Sequence, residues 1–332
     1  MVDLFRYKHW DFVGKRSLYF IISLILVIVS IAALFKNGLN LGIDFKGGGL
    51  VSYTVEGKIN DSNQILEGVR AKLHESGDEN LVQAHVQIAS AGTNDQIIVN
   101  TRLIEEEGVD QNAIFEAQIK DYITPAVTAA AEEHGLNLNP IPDSKEVVSG
   151  TISNEFVTNA VIAIIVGMLL IMAWIWLRYN ISGAGFRYSL AGIITLLQGV
   201  IITLGFFAVF HDQFQINSPF IAALLTVIGF SIHDTIIIFD RIRENIRLMK
   251  GKTFAETVNI SILETLARSV NTVVSLLLPL VALLLFGGTT IMDFVVAMLA
   301  GVIIGAFSSI FVASQLLVSW AKPDQRVMTK DF

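Results

Sequence analysis

The side chain best suited to chemistry in this sequence is Asp234, preceded by His233 inside a long apolar run. Residues 220–232 carry no charge, and apolar residues 236–239 follow before the charged stretch holding Asp240, Arg241, Arg243 and Glu244. At about 1.5 Å per helical residue, Arg241 lies roughly 10 Å beyond Asp234. The carboxyl therefore falls inside the hydrocarbon, in the half nearer the charged end. A carboxylate there costs about 3 kcal/mol on insertion scales and tends to face a partner or a water path. It reads as a group that handles a proton or an ion; the competing reading is a permanently paired ion that locks helices together. Arg268 is the candidate partner, with Asn271 and Thr272 on its helix face at i+3 and i+4. Its place near a membrane boundary equally suits a side chain that snorkels to headgroups. His233 points about 100° away from Asp234 and is either a packed neutral ring or a proton relay. Ser231, three residues before Asp234, is placed to bond the carboxyl, and Gln198 reads as an interhelical hydrogen-bond partner.

These residues need a membrane bundle around them, and the composition supplies one. The 332 residues are 53% hydrophobic and 16% charged, which excludes disorder and points to several membrane spans. There are no cysteines, so no disulfide and no thiolate metal site is available, and no metal is expected. A net charge of −7 without a basic tract excludes a nucleic-acid partner. No Ser-His-Asp, H-E-x-x-H or cysteine-based site appears, so no enzyme and no cofactor is expected beyond protons as the coupling ion.

Uncharged runs of spanning length occur at 17–35, 156–177, 188–210, 269–292 and 294–321, and the run through Asp234 makes six. The first is longer than a signal-peptide core and lacks an A-x-A site, so it reads as an uncleaved anchor. Lys and Arg crowd the N-terminal tail, the connections around 178–187 and 241–268, and the C-terminal tail, but are absent from 211–218 and 287–290. Both termini are therefore expected in the cytoplasm and residues 37–155 outside. The expected order is a tail 1–16, a first span 17–36, an extracytoplasmic domain 37–155, a five-helix membrane domain 156–321 and a tail 322–332. Within the membrane domain, 241–266 reads as a cytoplasmic, interfacial amphipathic connection, and the four charged residues at its start as a solvated, partly paired exit. Pro279 is expected to kink the fifth span. Ala297, Gly301, Gly305 and Ser309 form a small-residue ridge, either internal or at a seam with another subunit.

Residues 37–155 hold 19 acidic and 7 basic side chains. Alternation at 50–56, a helical pattern at 62–77, strands at 82–88 and 96–101 flanking a turn at 91–95, a helix at 109–133 kinked at Pro125 and an extended 136–152 give the order β-α-β-β-α-β. That is a ferredoxin-like split βαβ arrangement.

Two motifs carry a family resemblance. Leu41-Gly42-Ile43-Asp44-Phe45-Lys46-Gly47-Gly48 follows the first span, and Ile228-Gly229-Phe230-Ser231-Ile232-His233-Asp234 through Phe239-Asp240-Arg241-Ile242-Arg243-Glu244-Asn245 lies in the fourth. Both, and the one-helix, domain, five-helix layout, closely resemble the SecF family, accessory membrane subunits of the bacterial Sec protein translocase. The resemblance implies a membrane α-helical fold. Six transmembrane helices form half of a resistance-nodulation-division-type bundle, with a ferredoxin-like α+β extracytoplasmic domain between the first and second. It further implies residence in the bacterial inner membrane. The function implied is proton-motive-force-driven assistance, together with SecD, to polypeptides leaving the SecYEG channel. It carries the family's proton-pathway roles onto Asp234 and Arg268, and structural motif roles onto Gly42, Asp44, Phe45, Gly47, Gly48 and Gly229. Two positions depart from the family pattern: Gln198-Gly199 stand where His-Asp is usual in the third span, and His233 stands where Asn is usual. Read from the residues alone, half of a proton-driven small-molecule or lipid exporter and an uncoupled translocon scaffold also remain open.

Overall fold

The computed structural model describes residues 10–59, 61–82, 84–91, 94–103, 110–180, 185–287 and 291–321. The expected tail 322–332, most of the first tail, the tip of the 91–95 turn and most of the connection 287–290 lie outside them. In chain order the elements are α1 (Arg16–Asn37), α2 (Ile43–Lys46), β1 (Gly48–Val55), α3 (Ser62–Glu75), α4 (Glu79–Val82), β2 (His85–Ala91) and β3 (Asn94–Thr101). They continue with α5 (Gln111–Gln118), a π turn (Ile119–Ile123), α6 (Thr124–Glu133), β4 (Ser144–Val148), α7 (Gly150–Asn180), α8 (Gly185–Val209), α9 (Ser218–Leu248) and α10 (Phe254–Phe286). Last come α11 (Met292–Ser308), a second π turn (Ser309–Ala313) and α12 (Ser314–Ser319). Six of the described helical stretches are long and apolar enough to cross a membrane: α1, α7, α8, α9, α10 and the α11–α12 run.

The domain between α1 and α7 is one antiparallel sheet in the order β2-β3-β1-β4, the strand order of a ferredoxin-like fold. Val51, Tyr53, Val55, Val86, Ile97 and Val99 turn one face of the sheet into a core with Ile65, Val69 and Leu73 of α3 and Phe115, Ile119, Ile123 and Val127 of the second helical segment. That segment passes through its π turn just before Thr124-Pro125 and stays helical from α5 into α6. The extended reading of 136–152 holds only for β4, because Gly150 already opens α7.

Burial of the His85 ring, and then the nearby Arg70, His211 and Lys46, hold its pKa below the ordinary histidine range, with Asp212 opposing. A lowered folded value favours the neutral ring. The associated stability is full above about pH 6.5, the unfolded value, and is lost as pH falls through the folded one. Acidification from about pH 7 to about pH 5 should therefore lower the melting temperature more in the wild type than in His85→Gln. Parallel melting curves across that range would contradict the assignment.

In the bundle, α8, α9 and the α11–α12 run are the buried helices, while α1, α7 and α10 surround them and remain largely exposed. The small-residue ridge of α11 is internal. A side chain at Gly301 would meet Val227 of α9 at 2.6 Å, and one at Gly305 would meet Ser231 at 3.1 Å. Gly205 of α8 abuts Ser30 of α1 in the same way. Backbones approach closely at such positions because nothing projects from them. Gly301→Leu should cost about 1–3 kcal/mol through overpacking, read as a lower melting temperature in detergent; an unchanged value would mean the contact is loose.

One expectation is corrected here. Residues 241–266 are not an interfacial connection lying apart from the spans. The helix α9 runs unbroken to Leu248, and α10 begins at Phe254 behind a capping box in which Thr253 and Glu256 exchange hydrogen bonds. The apolar residues Ile246, Phe254, Val258, Ile262 and Leu266 are buried in the apolar core of the bundle rather than in a lipid surface. The fifth helix consequently starts 15 residues before the uncharged run and ends at Phe286, with Pro279 inside it.

Candidate functional site in the fourth span

Asn217 starts α9 by accepting the Phe220 N–H at 3.0 Å, with Pro219 in the first turn. From that end the helix carries Asp234 into the centre of the bundle, where the residue is 2% exposed. Its Oδ1 accepts a hydrogen bond from Ser269 Oγ of α10 at 2.6 Å, while Oδ2 is buried with no hydrogen-bond partner among the described residues. A buried carboxylate normally fills several acceptor positions. Among the described residues no cation pairs with this carboxyl, which sets aside the permanently paired ion.

The expected partner is therefore corrected. Arg268 does not pair with Asp234; its side chain is exposed, and the neighbouring Ser269 makes the contact. Asn271 is likewise exposed, on the outward side of α10. Ser231 does not bond the carboxyl either. It turns to α11, where its carbonyl accepts from Ser309 Oγ at 3.0 Å and its hydroxyl lies 3.5 Å from the same oxygen. His233 is exposed rather than packed. In an antiparallel helix pair, one step back from the contact residues Asp234 and Ser269 turns both His233 and Arg268 to the same side. Thr226, Gly229 and Ser275 are exposed as well, so this pair of helices presents polar and small residues outward at hydrocarbon depth.

Further polar residues join the buried interior. Thr235 Oγ1 donates to Ser309 Oγ at 2.8 Å and lies 3.0 Å from the Ser231 carbonyl. Ser309 opens the second π turn, a helix irregularity that recurs at functional sites. Buried polar atoms without partners among the described residues include Gln198 Nε2 of α8, Ser308 Oγ of α11 and both polar atoms of Gln315 of α12. Gln198 thus faces the interior as expected of a third-span polar group, but its amide nitrogen has no interhelical bond. The signal that could have flagged the others was the cluster of Ser308, Ser309, Ser314 and Gln315 in an otherwise apolar span.

The charged exit is more ordered than a solvated face. Asp240 accepts from Tyr179 Oη at 2.8 Å and from Arg178 at 2.5 Å, tying α9 to α7. Arg241 pairs with Glu244 at 2.7 Å and with Glu264 of α10 at 2.6 Å. Arg243 is half-buried, with a buried Nε that has no partner among the described residues.

At the opposite end of α9 lies the glycine-rich motif. Asp44 Oδ2 accepts the Ser218 N–H at 2.7 Å, and the Gly42 N–H donates to the Ile216 carbonyl at 2.8 Å. Phe45 packs against the bundle core. Gly47 and Gly48 have φ of +70° and +135°, and a side chain at Gly48 would collide with the Thr101 carbonyl. These two positions need glycine to turn the chain from the bundle into β1. Gly229 is exposed with open space around it.

Comparison with known proteins places this architecture. Residues 128–323 match the family model described as protein export membrane protein SecD/SecF, C-terminal, and residues 32–56 match the SecD/SecF GG motif. A protein translocase subunit SecF from Thermobaculum terrenum is 36% identical over 95% of this chain and 95% of its own. The chain belongs to the SecF family. The SecF of Sebaldella termitidis is 34% identical over 91% of this chain and 89% of its own. The crystal structure of SecDF from Thermus thermophilus, titled a translocon-associated membrane protein, superposes with a TM-score of 0.76 at 30% identity. It matches 96% of this chain and 39% of that longer one. The SecF membership makes this a multi-pass protein of the bacterial inner membrane with an accessory role in Sec protein translocation. Asp44, Gly47 and Gly48 fall within the SecD/SecF GG match, and Asp234 and Ser269 within the SecD/SecF C-terminal match.

Proposed function

We propose that this SecF-family chain works with SecD to couple the proton gradient to the movement of polypeptides leaving the SecYEG channel. Asp234 is the group that takes up and releases the proton, and the α+β domain stands on the outer side with both termini in the cytoplasm. The observation that carries the reading is the carboxyl of Asp234, 2% exposed and with one oxygen unbonded, in a family of translocase subunits. Protonation cancels the charge that makes such a site costly in hydrocarbon. The same step changes the carboxyl from acceptor only to donor and acceptor. Its contact with Ser269 is rearranged, and with it the packing of α9 on α10. The outward face bearing His233 and Arg268 would be poorly placed against lipid, which supports a protein neighbour there, and SecD is the proposed one.

The reading is tested by the export of a secreted precursor into vesicles containing SecYEG, SecD and this chain, with and without an imposed proton gradient. The gradient should accelerate export only when the chain is present. Equal rates with and without it would leave an uncoupled scaffold.

A further inference from the structure

The segment that joins α1 to the α+β domain does more than cross a gap, because it is hydrogen-bonded to the loop that starts α9. Asn40 Nδ2 donates to the His211 carbonyl at 2.9 Å, and the Asn40 carbonyl accepts the Ile216 N–H at 2.8 Å. With the Gly42 N–H on the Ile216 carbonyl, this forms a short parallel bridge between residues 41 and 216. Asp44 then holds the Ser218 N–H, one of the orphan donors at the α9 N-terminus. From the other side, Asp293 of α11 accepts from the Gln215 N–H at 3.1 Å and from Asn217 Nδ2 at 2.9 Å. Four residues after Asp44, the first strand begins at Gly48. The point where the domain leaves the bundle is therefore fastened to the helix that carries Asp234.

We propose that Asp44 is a positioning residue: its carboxylate clamps the stalk of the α+β domain to the N-terminal end of α9, so that a shift of α9 reaches the domain. The proposal rests on the proton-coupled reading for its purpose, but the clamp itself is a matter of geometry. A helix is stiff along its axis, and backbone hydrogen bonds at its end transmit a displacement that a solvated linker would absorb. The required chemistry is a hydrogen-bond acceptor reaching Ser218, not a negative charge. Asparagine at position 44 would keep an acceptor oxygen; alanine would not.

The absence of native cysteines permits spin labels at Glu132→Cys in the domain and Ile303→Cys on α11, both exposed positions. The label-to-label distance distribution, recorded without a gradient, should be narrow in the wild type and in Asp44→Asn and broad in Asp44→Ala. Asn40→Ala, which removes the next contact along the stalk, should broaden it as well. In gradient-driven export, Asp44→Ala should lose the gradient-dependent increment while keeping the basal rate, and Asp44→Asn should keep both. An unchanged distribution in Asp44→Ala overturns the clamp. Equal broadening in Asp44→Asn also overturns it, by showing that the charge rather than the acceptor matters. If the wild type shows no gradient-dependent increment, the proton reading fails, while the distance distributions still decide the clamp.

Discussion

Asp234→Asn should abolish the gradient-dependent part of protein export while leaving the chain inserted and folded. Asparagine keeps an oxygen that can accept from Ser269 Oγ, now 2.6 Å from Oδ1, so the α9–α10 contact has a replacement bond. What it loses is the ability to change charge. Because the wild-type carboxylate is costly where it stands, the variant should melt no lower than the wild type, and its loss of activity should not come from loss of fold. The assay is precursor export with an imposed gradient, paired with a melting curve in detergent. Full gradient dependence in the variant would return Asp234 to a structural role.

Arg268→Met should also remove the gradient-dependent increment, and for a different reason. The guanidinium is exposed on the side shared with His233 and makes no bond to the Asp234 carboxyl. A charged group at hydrocarbon depth costs about 3 kcal/mol on insertion scales. Losing it should leave the isolated chain as stable as before or more so. Its effect should emerge in the assembled translocase, where a neighbouring subunit covers that face. Ser269→Ala gives the contrast. It removes one hydrogen bond, worth about 1 kcal/mol, so export should be slowed several-fold rather than uncoupled. Export in reconstituted vesicles ranks the three. A Ser269→Ala defect larger than that of Arg268→Met would contradict the placement of these side chains.

The spans were legible because hydrocarbon imposes a length and an absence of charge, and the ferredoxin-like order because strand and helix periodicities differ. The sequence leaves the hairpin of α9 and α10 ambiguous for a physical reason. The spacing of Ile246, Phe254, Val258 and Ile262 makes one apolar stripe, and a stripe does not say whether it faces lipid or another helix. The capping box of Thr253 and Glu256 was the available signal that a new helix starts there. Within the site, the depth of Asp234 was readable from the distance to the charged end, but its partner was not. Partner choice depends on the rotation of α10 about its axis, and a step of one residue, from Arg268 to Ser269, turns the helix by about 100°. The small-residue ridge posed the same difficulty, since Gly301 and Gly305 fit an internal contact or an external seam until Val227 and Ser231 are found against them.

The central claim, that Asp234 changes protonation inside the membrane, is tested most directly by infrared difference spectroscopy of the reconstituted protein during a pH titration. The carbonyl stretch of a protonated carboxyl should rise as pH falls in the wild type, and the part of that signal owed to Asp234 should be missing in Asp234→Asn. Identical titrations in the two proteins would mean that Asp234 never changes its charge, and the proton-coupled account would be wrong.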